Sequence, residues 1–257
     1  MAAGMIHEMR EFFRRFLTPA VRAILFLNVG IFLFAVTILA LIDTRDYFFR
    51  LFSQMPYLAV MRFQIWRFFT YMFLHADGMH LLFNMMALWF FAPRLEMRWG
   101  TKRFLKFYFI CGAGAAVVHS LFTLLLGAKT LLPDGEVVRG VEYMIGASGA
   151  IYGILLAYAI YWPDETVLLY FVIPMRIKYM VVLFGVMEFI GSVNRAGSHI
   201  SHITHLGGLL TAFLYLRGWN LFRGGLGGGL FSPRKPKRMI KRYYRDDDGR
   251  IYIEFEE

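Results

Sequence analysis

Four residues of this 257-residue chain, Ser148, His205, His80 and Asn84, are of types that together could carry acyl transfer. A serine hydroxyl is a poor nucleophile until a base takes its proton, and histidine is the side chain whose ordinary pKa suits that task near neutral pH. N–H donors from His80 and Asn84, with the backbone N–H of Ser148, could hold the oxyanion of a tetrahedral intermediate. Spacing supports the grouping: His80 and Asn84 stand at i and i+4, as do Ser148 and Tyr152, so each pair shares one helix face. Tyr152, one turn below Ser148, is placed to pack against the His205 ring and fix its orientation.

Each motif has a plainer reading when taken alone. The stretch Gly146-Ala147-Ser148-Gly149 would serve helix packing, and a single His or Asn in an apolar segment can be structural. Their convergence at one depth favours a site. His199, His202 and His205, three residues apart, raise a metal reading. It is the weaker one, since there is no His-Glu-x-x-His pattern and the only acidic residue well inside a nearby apolar segment is Glu188. Glu188 and His119 read as packing or cavity residues. With no acidic third member apparent at the site, the expected arrangement is a Ser-His dyad.

The segments that must position these residues are apolar enough to lie in lipid. Mean hydropathy is +0.51 and 58% of the chain is hydrophobic, more than the core of a soluble domain absorbs. The apolar blocks are continuous rather than alternating, which selects helices over a barrel. They predict six spans, at Val21–Ile42, His80–Pro93, Phe104–Leu126, Gly146–Trp162, Ile177–Val193 and Ile200–Trp219. The second and fourth read as too short to cross upright. The net charge of +10 belongs to residues beside apolar segments, so lipid and topology account for it and nucleic acid does not. Most Lys and Arg, including Arg94, Arg98, Lys102 and Arg103, fall on one side if both termini are cytoplasmic. The second, fourth and sixth spans then run inward, and their polar residues meet near the outer face.

Met1 to Thr18 is basic and amphipathic, without the pattern of a removable signal peptide, so the first span is expected to act as an uncleaved anchor. A single cysteine, Cys111, excludes an internal disulfide. Small residues line the two site helices, Gly146, Gly149 and Gly153 on one and Gly207, Gly208 and Ala212 on the other, a composition that lets helices approach closely. Asp43 to Met79 mixes aromatics, Met and Arg as an element lying in the interface would. After Trp219 comes a Gly-rich and basic tail. Its end fits either a hairpin around Asp248-Gly249 or a lipid-facing basic patch followed by disorder.

These residues together resemble the rhomboid family of intramembrane serine proteases. The family's Gly-x-Ser-x motif stands as Gly146-Ala147-Ser148-Gly149 with Tyr152 four residues on, and its His followed by small residues as His205-Leu206-Gly207-Gly208. The His-x-x-x-Asn motif is His80 to Asn84, preceded by His75; the Trp-Arg pair is Trp66-Arg67; and the Glu-x-Arg is Glu96-Met97-Arg98, with Gly100 close behind. The likeness covers roughly residues 20 to 220. It implies an all-α, polytopic six-helix bundle over 21–220 between a short N-terminal segment (1–20) and a tail (221–257). By the same likeness, Ser148 is the nucleophile, His205 the general base and His80 and Asn84 the oxyanion donors. Tyr152, Gly146 and Gly208 support the site, and Trp66, Arg67, Glu96 and Arg98 are structural. The resemblance also implies that no metal or cofactor is needed and that substrates are single-span membrane proteins, in a membrane expected to be the bacterial cytoplasmic one. The alternative is an inactive relative that binds membrane clients. A transporter fits poorly because the polar cluster lies near one face.

Overall fold

In the computed structural model, residues 17–127, 129–131, 137–139, 141–169, 172–193, 199–222, 240–245 and 251–256 are described. Among them the long helices are α1 (Pro19–Val36), α3 (Gly78–Trp99), α4 (Thr101–Leu126), α5 (Ser148–Tyr161), α6 (Ile177–Val193) and α7 (His199–Phe222), with a shorter α2 (Arg45–Phe52) between the first two. Among the described residues two stretches, Pro19–Leu41 and Thr101–Leu126, are long and apolar enough to cross a membrane by length and composition alone.

Helix ends differ from the sequence expectation for identifiable reasons. The first apolar block is broken at Thr37, whose hydroxyl donates to the Leu33 carbonyl at 2.6 Å, and a short turn (Ile38–Leu41) follows; such back-bonding bends helices. The second block is not short. It runs for 22 residues, about 33 Å at 1.5 Å per residue, from the Asp77 cap through Pro93 to Trp99. Proline removes one ladder donor and normally ends a helix, but Pro93 is carried inside a buried face together with Ala92 and Leu95. Gly100, with φ of +80°, stops the helix in a conformation that glycine tolerates. The fourth block is short as expected, with 14 residues in α5.

Short antiparallel pairs add a little strand to a mostly helical chain: β1 (Lys129–Leu131) with β2 (Val137–Arg139), β3 (Thr166–Leu169) with β4 (Ile173–Arg176), and β5 (Ile240–Arg245) with β6 (Ile251–Glu256). The last pair takes up the hairpin reading of the tail, its turn lying outside the described residues.

Helix α5 is the centre of the bundle. Apolar or small residues are buried around its whole circumference, among them Gly149, Ile151, Ile154 and Tyr158, which marks a helix surrounded by others. α7 packs mainly against α4 and α5, and α3 also lies on α5. α6 is the contrast: Val182, Val186, Phe189, Ile190 and Val193 are all exposed, a face suited to lipid rather than water.

The segment between α1 and α3 is folded back on itself by Arg67. Its guanidinium donates to the carbonyls of Arg50 (2.7 Å) and Ser53 (2.6 Å) and to Gln64 Oε1 (2.6 Å). Trp66 Nε1 donates to the Leu51 carbonyl. The segment is tied to α4 through Gln54, which donates to Ser120 Oγ at 2.7 Å and meets His119 Nδ1 at 2.9 Å. Gln54 also exchanges two backbone hydrogen bonds with Met144, just before α5. His119, expected as a packing or cavity residue, is thus a buried anchor for this segment.

Candidate active site

Ser148 is the first residue of α5, and no side chain caps that end. First-turn N–H groups have no acceptor within their own helix, so the serine hydroxyl sits beside backbone donors suited to a developing anion. Just before it, Gly146 has φ of +117° and donates its N–H to the Tyr71 carbonyl at 2.9 Å. A side chain there would also meet His80 Nε2 at 2.7 Å. Both backbone conformation and space therefore require glycine two residues before the hydroxyl.

His205 reaches the same point from α7. Its Nε2 lies 2.8 Å from Ser148 Oγ. The approach depends on small residues where α5 and α7 cross: a Cβ on Gly208 would overlap the carbonyl oxygen of Gly149, and one on Gly153 would press on Cys111 and Ala212. Gly207 instead faces α4, against Ala115 and Val118. The Tyr152 ring stacks on the His205 ring, centroids 4.2 Å apart and planes 9° from parallel, which fixes the imidazole plane.

The third wall is the start of α3. Asp77 accepts from the His80 backbone N–H at 2.8 Å, so the cap that starts the helix also orients His80. His80 Nδ1 faces the Ala76 N–H at 3.4 Å. That contact leaves the proton of a neutral ring on Nε2, the nitrogen turned towards Gly146. Asn84 is buried and gives one amide hydrogen to the His80 carbonyl at 2.8 Å, keeping a second to offer. His75, buried beside His80 with ring centroids 5.0 Å apart, is held neutral: burial, then the neighbouring His80, brings its pKa down to about 3.

Glu188 changes the expected picture. The sequence suggested no acidic group at the site, yet Glu188 Oε1 lies 2.9 Å from His205 Nδ1, on the far side of the ring from Ser148. Tyr152 donates its hydroxyl to the same oxygen, and His202 Nδ1 lies 2.5 Å from Oε2. The signal was present in the sequence, because an ionisable residue inside an apolar span is costly and by default calls for a function. Its partner could not be read there, because α5, α6 and α7 are separate in the chain. Among the described residues no group of three His, Cys, Asp or Glu side chains is placed to hold a metal ion.

The residues expected to be structural lie elsewhere. Glu96, 2% exposed, sits under the start of α1 and accepts from the Ala20 and Val21 backbone N–H groups (2.9 and 3.0 Å) and from the hydroxyls of Thr18 and Thr101. Arg98 stacks over the Tyr161 ring at 4.5 Å.

Residues 62–223 match the family model for the rhomboid domain. The chain belongs to the rhomboid family. Rhomboids are membrane-embedded, which accounts for the exposed apolar face of α6. Rhomboid protease AarA of Providencia stuartii is 28% identical over 73% of this chain and 68% of its own length. RHOMBOID-like protein 1 of Arabidopsis thaliana is 30% identical over 61% of this chain and 35% of its own. The putative rhomboid protease YdcA of Bacillus subtilis is 30% identical over 58% of this chain and 64% of its own. The chain thus spans between about a third and two thirds of these relatives. The rhomboid match takes in every residue of the cluster around Ser148 and begins after α1.

Proposed function

We propose that this rhomboid is an intramembrane serine endopeptidase that cuts single-span membrane proteins near the outer face. The observation that carries the reading is the 2.8 Å approach of His205 Nε2 to Ser148 Oγ, at a helix start with His80 and Asn84 alongside. In this reading α1, α3, α4, α5, α6 and α7 are the six spans of one domain (21–220), with both termini cytoplasmic. The membrane is a bacterial cytoplasmic membrane. The short α5 leaves its N-terminal end below the surface, where water can reach Ser148.

A peptide bond in an intact helix hides its carbonyl in the ladder, so the substrate unwinds locally before attack. Ser148 Oγ then bonds to the carbonyl carbon while its proton passes to His205 Nε2. The oxyanion is held by the first-turn N–H groups of α5, His80 Nε2–H and the second Asn84 amide hydrogen. On collapse the C–N bond breaks and His205 returns the proton to the leaving amine. Water, activated by the same histidine, releases the acyl group from Ser148. No cofactor takes part.

The test is cleavage of a single-span reporter in liposomes by wild type, Ser148→Ala and His205→Ala. Loss in both folded variants, each by on the order of 10³-fold or more, supports the assignment. Undiminished cleavage by Ser148→Ala removes it. Wild type that binds reporters but cuts none across several sequences indicates a client-binding rhomboid instead.

A further inference from the structure

Glu188 is 9% exposed, and its carboxylate is surrounded by donors from two helices other than its own. On α7, His205 Nδ1 lies 2.9 Å from Oε1 and His202 Nδ1 lies 2.5 Å from Oε2. On α5, the Tyr152 hydroxyl donates to Oε1. An ionised carboxylate only accepts hydrogen bonds, and three converging N–H and O–H groups satisfy it. A protonated one would put a hydroxyl donor among donors.

We infer that Glu188 is a positioning residue that completes a Ser148–His205–Glu188 triad. The inference rests on the protease reading above. The chain of contacts is continuous: Ser148 Oγ to His205 Nε2 at 2.8 Å, across the ring, and His205 Nδ1 to Glu188 Oε1 at 2.9 Å. Its chemical consequence is the tautomer. Neutral imidazole carries one proton, and a carboxylate at Nδ1 holds it there, leaving Nε2 with the lone pair that must take the serine proton. When Ser148 attacks, that proton moves to Nε2, and the resulting imidazolium lies against the Glu188 anion. Glu188 itself neither gains nor loses a proton.

Tyr152 contributes twice, stacking on the His205 ring at 4.2 Å and donating to the same Glu188 oxygen. Ring plane and ring tautomer are thus set by one pair of side chains. The titratable groups facing His205 are Glu188 on α6, Tyr152 on α5, His202 on its own helix and His80 across the site on α3. Glu188 is the one anion among them, so its removal has a predictable sign. The imidazolium loses its stabilising neighbour, and the pH at which His205 becomes a free base falls.

The experiment compares full-length wild type, Glu188→Gln and Glu188→Asp in detergent micelles. Histidine-ring NMR, with His205→Gln for assignment, reads the His205 titration midpoint without any need for turnover. Reporter cleavage then gives kcat, KM and the acid limb of the pH profile. Expected for Glu188→Gln is a His205 midpoint moved to lower pH, an acid limb moved with it, and kcat lower by roughly 10²- to 10⁴-fold at little change in KM. Glu188→Asp, which keeps the charge on a shorter arm, should restore most of the midpoint and part of kcat.

An unchanged His205 midpoint in folded Glu188→Gln overturns the triad. So does a loss of activity that follows only the folded fraction, with the acid limb in place. If Glu188→Gln does not fold, Glu188→Asp decides: a wild-type kcat and acid limb with the carboxylate withdrawn overturns the proposal. Failure of the protease reading looks different, since wild type then cuts nothing while the NMR shift still reports whether Glu188 governs His205.

Discussion

Among the described residues two glutamates are buried, and their surroundings differ in kind. Glu96 faces the first backbone N–H groups of α1 and two threonine hydroxyls. Glu188 faces two histidines and a tyrosine. The first set cannot change charge or leave: it is the start of a helix, whose orphan donors and positive dipole end call for an anion. The second set consists of side chains that titrate, stack and abut a serine hydroxyl. The same carboxylate thus closes a fold at one site and, in the triad proposed above, tunes a base at the other, and the donors decide which.

The comparison extends to a series of four carboxylates ordered by burial, and stability should follow that order. Glu96→Ala should cost most, about 2–4 kcal/mol, because the Ala20 and Val21 N–H groups lose their acceptors. Thermal unfolding in micelles measures it, and cleavage per folded molecule should stay at the wild-type value. A turnover defect in folded Glu96→Gln would break the distinction between the two sites. Glu188→Gln should cost less, about 1 kcal/mol, because an amide oxygen still accepts from the surrounding side chains; its main effect is on rate. If it unfolds the protein as readily as Glu96→Ala does, Glu188 belongs with the structural class.

Glu165 comes next. It pairs with Arg94 and accepts from Tyr158 at 2.8 Å, and Arg94 lies 4.2 Å over the Trp162 ring. Both charged side chains are more than a third exposed, so screening limits the pair to about 0.5 kcal/mol in a double-mutant cycle of Arg94→Ala and Glu165→Ala. Coupling well above 1 kcal/mol would show that this end excludes water more than its exposure implies. Smallest of all is Asp164. Its hydrogen bond and charge interaction with Lys178, with Arg176 adding to them, hold its carboxyl below the usual range, yet the side chain is exposed. Asp164→Asn should leave the unfolding midpoint unchanged at neutral pH. Any benefit from a depressed carboxyl pKa is present above that pKa and lost as pH falls through it, so a midpoint for Asp164→Asn clearly below wild type at neutral pH would show that the Lys178 pair is worth more than its exposure implies.

Much of this was legible in the sequence. Continuous apolar blocks predicted helices, and those blocks match α1 and α3 to α7 to within a few residues apart from the far ends of α1 and α3, each six residues from the expectation. The i, i+4 spacing put His80 with Asn84 and Ser148 with Tyr152 on common faces, and glycines at 149, 153 and 208 announced a close crossing. These are local properties, set by a 3.6-residue period and by which side chains lipid tolerates. The extension of α3 past Pro93 was not legible, because its tolerance depends on burial against neighbouring helices rather than on the residue.

What the sequence by itself determined was the chemistry on offer: a serine, histidines and an asparagine of types suited to acyl transfer, and the apolar helices that carry them. Only the tertiary structure decided who meets whom. The rotation of α6 about its own axis brings Glu188 to His205 Nδ1 while most of that helix stays apolar and exposed, and the seating of α1 on α3 makes Glu96 a cap. Both depend on how side chains from distant segments interlock, a sum over many contacts between helices that no periodicity within one helix encodes.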